Sequence, residues 1–156
     1  MKYICITISL LLFCCSKPKE DLSTSERLKI EKEVTAMLQQ YCDDIRQGGF
    51  MAELQYLDNS EAFYWVPPGY ATPIGYDSIV TIITHNAPAY RYVDNQWEDL
   101  KVTVLTPDLA LYTGRLQSHM TDTSGAIAHA RLMETGLVIK RVQAWKLYAG
   151  HTSPIR

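Results

Sequence analysis

The chain has 156 residues, enough for one domain whose core needs no disulfide staples. Fifteen Lys and Arg stand against seventeen Asp and Glu with no basic stripe, which excludes an electrostatic footprint for nucleic acid. Ten Tyr and three Trp are the compositional departure, and a ring with a polar tip suits a cavity wall as well as a core.

Residues 1–15 read as an export leader. Lys2 gives a positive start, Tyr3 to Phe13 is an apolar run too short to span a bilayer, and polar residues follow from Ser16. Leu12-Phe13-Cys14-Cys15 resembles a bacterial lipobox, with Leu at minus three, a small residue at minus one and Cys15 as the lipidated position. An ordinary secretory signal cut nearby and an uncleaved anchor are the alternatives. The expectation is a lipoprotein signal over 1–15, a polar tether over 16–22 and a domain over 23–156. Such a protein is exported and membrane-anchored, on the periplasmic or cell-surface side of a bacterial membrane. Only Cys42 of the four Cys lies beyond the leader, so the domain has no internal disulfide and depends on packing. Beside an apolar helix face, Cys42 reads as buried and inert rather than as a reactive thiol.

Ser23-Thr24-Ser25-Glu26 is a capping box. Behind it Ile30, Val34, Met37, Leu38, Tyr41 and Ile45 form one helical stripe, and Gly48-Gly49 ends it, so the spacing predicts a helix over 25–47. Phe50, Leu54 and Leu57 predict a short second helix stopping near Asp58-Asn59. Glu61 to Val66 is aromatic and β-prone, a strand broken by Pro67-Pro68-Gly69. Tyr76 to Asn86, with Ile79, Ile82 and Ile83 on one face, predicts a third helix closed before Pro88.

From Ala89 the period falls to two. Tyr90 to Tyr92 is a short strand, and Trp97 to Leu105 alternates Leu100, Val102 and Val104 against Lys101 and Thr103. Leu109 to Met120 and Ala126 to Thr135 form a hairpin around Asp122–Gly125. Leu137 to His151, two closing strands with a tight turn, completes an antiparallel meander. Three helices followed by a long sheet is an α+β pattern with helices packed on one face.

This order of elements, with Leu38-Gln-Gln-Tyr41 and Gly48, Phe63-Tyr-Trp-Val-Pro-Pro-Gly69, Gly75-Tyr-Asp77, and Ala144-Trp-Lys with His151-Thr-Ser153, resembles the SnoaL-like branch of the nuclear transport factor 2-like superfamily. The resemblance covers residues 25–153. It implies a cone-shaped, curved antiparallel sheet wrapped around the three N-terminal helices (a cystatin-like roll), with a pocket at the open end. Curvature of that kind needs bulges, for which Gly114, Gly125, Gly136 and Gly150 are candidate positions. Relatives with this fold include isomerases, cyclases, dehydratases and non-enzymatic binding modules, so the site has to be argued from residues.

Ketosteroid isomerase, which shares the fold, pairs an Asp base with an oxyanion hole of Tyr and protonated Asp. By resemblance Tyr41 stands at the oxyanion Tyr. The base position before Pro-x-Gly is held by Val66, which disfavours carboxylate-driven isomerisation of that type. Tyr41 reads first as a core residue of the apolar stripe. Strand parity places Trp145, Leu147, Ala149 and His151 on the concave face, where His151 serves as a general base near neutral pH or as a structural His. His129 shares a face with Arg131, and Arg115 and Gln117 share one with His119; parity leaves cavity, solvent and dimer surface open. No His-x-His or His-Glu-x-x-His spacing is present, so no metal and no cofactor is expected.

The aromatic residues are the better pointer, because pockets for small organic ligands are mainly apolar with a few placed polar groups. The expected ligand-binding set is Trp65, Tyr64, Tyr112, Arg131 and Trp97, with one of Tyr64 and Trp65 inside and the other outside. His151, Tyr41 and His129 are the catalytic candidates. Three readings follow: a small-molecule binder for an apolar or aromatic ligand; a divergent proton-transfer isomerase, lyase or hydrolase; and a structural or partner-binding module. The resemblance implies a homodimer in each, joined through the sheet.

Overall fold

The computed structural model describes residues 22–142 and 144–155; the expected leader, Cys15 and nearly all of the tether lie outside the described residues. Helix α1 spans Thr24–Gly48. Its capping box forms: the Ser23 hydroxyl accepts from the Glu26 amide at 3.3 Å while Glu26 accepts from the Ser23 amide at 2.9 Å. Gly49, at φ +71°, ends the helix, and its amide returns to the Ile45 carbonyl at 2.7 Å. The buried face is Ile30, Val34, Leu38, Tyr41, Cys42 and Ile45, the stripe that the 3.6 period predicts. Fully burying a side chain such as Leu38 contributes about 1.5–3 kcal/mol. Cys42 is buried without a partner, and loss of solvent pushes its thiol up to about 12, which keeps it inert.

The second helix is a 3-10 segment, Phe50–Tyr56, and the third is α2, Tyr76–Asn86, followed by a single 3-10 turn at Ala87–Ala89. No helix among the described residues is long and apolar enough to cross a membrane.

The sheet has five strands in the order β1-β5-β4-β3-β2: β1 Tyr64–Val66, β2 Tyr90–Thr106, β3 Leu109–Asp122, β4 Ile127–Lys140 and β5 Trp145–Pro154. It departs from the sequence expectation in three ways. The first strand is only three residues long and pairs parallel with β5 (Tyr64 with Ala149, Val66 with His151), because the chain reaches this edge through α1 rather than through a hairpin. The two short segments predicted after Ala89 are one strand, since Asp94 and Asn95 stay paired to His119 and Ser118. The break expected at Gly136 is absent; β4 continues to Lys140 and β5 begins at Trp145.

Bulges bend the sheet. One lies between Trp97 and Asp99, opposite Leu116 and Arg115, and leaves Glu98 as the extra residue. A second lies where Leu137 and Val138 face Ala149 and Leu147, leaving Tyr148 extra on β5. Gly125, at φ +90°, serves the β3–β4 turn, where Asp122 Oδ1 accepts from the Ser124 and Ala126 amides. Helix α1 packs across β2, so helices and 3-10 segment fill the concave face.

Asp58 ties the stretch after the 3-10 segment to β5 and to Arg141 beyond β4. It is 3% exposed and held bidentately by Arg141 at 2.7 Å, with Ser60 adding a third hydrogen bond. The Arg141 guanidinium holds the Asp58 carboxyl below its ordinary range. Replacing Arg141 with Ala strands a buried acceptor and is expected to cost roughly 1–3 kcal/mol at neutral pH, read from urea unfolding. The loss fades as pH falls, because a depressed carboxylate contributes stability above its unfolded pKa and loses it once protonated.

Candidate active site

A cavity of about 410 Å³ opens inside the cone. Its apolar wall is built from Phe63, Ile79, Ile82, Ile83, Leu116, Leu132 and Leu147, with Trp65, Phe50 and Tyr90 adding rings. Into this wall project Tyr41 from α1, Glu53 from the 3-10 segment, Asn95 from β2, Ser118 from β3, and Glu134 and Thr152 from β4 and β5. The size and the ratio of apolar to polar groups are those of a small-molecule site.

Glu134 is 5% exposed and fixed from both sides. The Tyr112 hydroxyl donates to Oε1 at 2.7 Å, and the Thr152 hydroxyl donates to Oε2 at 2.9 Å. Thr152 must donate there, because its oxygen already accepts from Trp65 Nε1 at 2.9 Å. This Trp65–Thr152–Glu134–Tyr112 chain locks the carboxyl group in one orientation. Burial raises the Glu134 carboxyl, and the two hydroxyl donors oppose that rise.

Glu53 lies against the Tyr41 hydroxyl and has fewer donors. Burial, with the charge of Glu134 added, lifts it to about 7, and Tyr41 opposes the lift. Tyr41 itself is 6% exposed, stacked edge-on to Tyr56 at 5.3 Å, and pushed well up by burial and then by Glu53 and Glu134. Its phenol stays protonated and so keeps a proton to donate, to Glu53 or to a ligand oxygen. Two hydroxyl donors hold Glu134, and Glu53, lifted to about 7, exchanges a proton near neutrality. Two acids held apart in this way can divide the roles of fixed charge and proton carrier. Among the described residues, no group of three or more His, Cys, Asp and Glu is arranged to hold a metal ion.

Of the residues singled out from sequence, Tyr41 and Trp65 line the cavity. Tyr112 is fully buried behind it and acts through Glu134. The remaining assignments are corrected. Tyr64 alternates with Trp65 and points outward, 49% exposed. Trp97 is drawn toward α1, where its indole N–H donates to the Leu38 carbonyl at 3.1 Å and its ring meets Tyr112 edge-on. Arg131 lies on the outer face, paired to Glu98 at 2.7 Å. His129 is also outside, its ring 4.5 Å from that of His119 across the β3–β4 pair.

His151 is the instructive case. Parity counted from Trp145 places it inside, but the Tyr148 bulge adds a residue and inverts the count. Leu147 faces in before the bulge and Thr152 after it, so His151 is exposed on the outside beside Val66 and Thr135. Val66, at the base position, holds no carboxylate, yet Glu53 and Glu134 supply two from other elements. Both left a trace in the sequence. Glu134 has the parity of Ala130 and Leu132, and Glu53 sits three after Phe50 and four before Leu57, on their helical face.

No protein-family model matches the sequence, and no curated protein matches it. Solved structures match its fold. A Streptomyces avermitilis protein of the NTF2-like family, described as a proposed dehydratase, aligns with TM-score 0.69 at 18% identity over 82% of this chain and 99% of its own. An uncharacterised protein with a cystatin-like fold from Caulobacter vibrioides aligns with TM-score 0.63 at 17% identity, over 80% and 89%. Hexachlorocyclohexane dehydrochlorinase LinA-type3 from Novosphingobium barchaimii aligns with TM-score 0.67 at 9% identity, over 86% and 92%. The bent five-stranded sheet, the helices in its concavity and these alignments agree that the chain has the nuclear transport factor 2-like fold.

Proposed function

We propose that the domain is a proton-transfer enzyme, an isomerase or lyase, acting on a small and largely apolar molecule inside the cone. The observation that carries this reading is Glu53: a carboxyl group poised at about 7, facing an apolar cavity, with the Tyr41 hydroxyl beside it. A base of that pKa is half ionised near neutral pH and gains strength from a site that excludes water. Tyr41 donates a hydrogen bond to the oxygen on which negative charge collects, and Glu134 stays in place as the fixed anion. The same reading includes export with a lipid at Cys15, supported by the apolar run from Tyr3 and the Leu12–Cys15 pattern, and self-association through the outer sheet face, supported by exposed Tyr64, Leu111 and Met133.

A substrate-independent probe tests the chemistry. In 5-nitro-1,2-benzisoxazole a base removes the ring C–H proton, the C–H pair becomes part of a nitrile, and the N–O bond breaks to a coloured phenolate. The full chain is expected to accelerate this ring opening over an equal concentration of acetate, with a rate that rises with pH through an apparent pKa of about 7. A rate equal to acetate, or a profile flat between pH 5 and 9, overturns the reading.

A further inference from the structure

The lining contains two carboxyl groups and, among the described residues, no Lys, Arg or His. That imbalance is unusual for a buried site, because an acid taken out of water is normally compensated by a cation. Asn95 adds an independent observation. It is 9% exposed, lines the cavity next to its cross-strand partner Ser118, and its Oδ1 is buried with no hydrogen-bond partner. An orphaned buried acceptor costs roughly 1–3 kcal/mol, and a half-turn of the Asn95 amide, which exchanges its O and N, brings that acceptor to a donor arriving with a ligand. Both charged groups of the lining are therefore acidic, and the rings of Trp65, Phe63 and Phe50 stand in the same wall, where an aromatic face favours a cation over an anion.

We propose that the cavity recognises an apolar molecule bearing one ammonium group, a primary or secondary amine, with the ammonium set between Glu53 and Glu134 and one N–H donated toward Asn95. The proposal rests on reading this cavity as the ligand site and adds the substrate class. Its charge logic is complementary to the proton transfer. Burial, and then repulsion from Glu134, hold a proton on Glu53, and the ligand's positive charge offsets both, so the amine's arrival itself favours the ionised base. A neutral ligand leaves that repulsion in place, and an anionic one adds to it. The groups acting on Glu53 are Tyr41 from α1 and Glu134 from β4; the α2 residues at the cavity, Ile79, Ile82 and Ile83, are uncharged.

The test is calorimetric titration of the full chain with 2-phenylethylamine, its neutral counterpart 2-phenylethanol and the anion phenylacetate. At pH 7.5 the amine is expected to bind about tenfold more tightly than the alcohol, a difference of about 1.4 kcal/mol, and phenylacetate to give no binding heat. Binding an ammonium favours ionised Glu53, so a proton is released below neutrality and amine affinity rises with pH up to about 7. Repeating the titration in buffers of different ionisation enthalpy counts that proton. Glu53→Gln, checked for folding by circular dichroism, is expected to shrink the amine's advantage below about threefold. Equal affinity for amine and alcohol, or measurable binding of phenylacetate, overturns the proposal. Ring opening of the benzisoxazole read alongside separates the two ideas: turnover without amine preference removes only the substrate class, and amine preference without turnover removes only the proton transfer.

Discussion

Glu53→Gln is expected to slow benzisoxazole ring opening by roughly 10²–10⁴-fold, the usual contribution of a positioned general base, while the protein becomes more stable at alkaline pH. The two effects share one cause. Gln keeps the shape and the neutral charge of protonated Glu53 but cannot take a proton. For stability the sign runs against the common carboxylate pattern, because the folded pKa is raised, from 4.5 to about 7. The fold then binds the proton more tightly than the unfolded chain does. The stability this confers is complete below pH 4.5 and is lost as pH rises through about 7. At pH 8 the wild type holds an ionised carboxylate in a poorly solvated site and Gln does not, which favours the variant by up to about 3 kcal/mol. Urea unfolding at pH 4 and pH 8 reads this directly: equal midpoints at pH 4 and a higher midpoint for Glu53→Gln at pH 8. A variant that is less stable at pH 8 would place Glu53 in a compensated ion pair and remove the basis for its role. A stability gain at the cost of activity is the ordinary signature of a functional group held in an unfavourable place.

Gly150→Ala is expected to destabilise the domain by about 3 kcal/mol or more. The Trp65 ring lies flat against β4 and β5 at Gly136 and Gly150. A Cβ on Gly150 would stand 2.5 Å from Trp65 Cζ3 and 2.8 Å from the Thr135 carbonyl oxygen, and one on Gly136 would stand 2.9 Å from Trp65 Cη2. Neither neighbour can yield easily. The carbonyl belongs to the β4–β5 pairing, and Trp65 is pinned by its hydrogen bond to Thr152. Displacing Trp65 also frees Thr152, and through it one side of Glu134. The variant is therefore expected to lose most of its activity even at temperatures where it remains folded, with thermal unfolding followed by tryptophan fluorescence as the measurement. A variant with wild-type stability would mean that Trp65 does not hold this position against the sheet.

Much of the fold is legible in the residue pattern because it rests on local periodicity. The stripe from Ile30 to Ile45, the Ser23–Glu26 box and Gly49 define α1 almost to the residue, and Ile79, Ile82 and Ile83 define α2. The resemblance places Tyr41 at the cavity, and strand parity puts one of Tyr64 and Trp65 there without saying which. The acids are harder to read because they come from separate elements. Glu53 occupies one exposed-looking position of a short segment and Glu134 one position of a strand, and nothing in the sequence brings them together until the sheet curls.

By itself, then, the sequence determined the order of helices and strands and the faces they bury, since each follows from spacing within one element, while the cone was implied by the family resemblance. The tertiary structure alone decided which polar residues share the hollow. Bulges at Glu98 and Tyr148 each insert one residue into a two-residue period, so every side chain beyond them changes sides. That single step sent His151 to the solvent and Thr152 to Glu134. Pairing register, a property of two strands together, set the chemistry of the site.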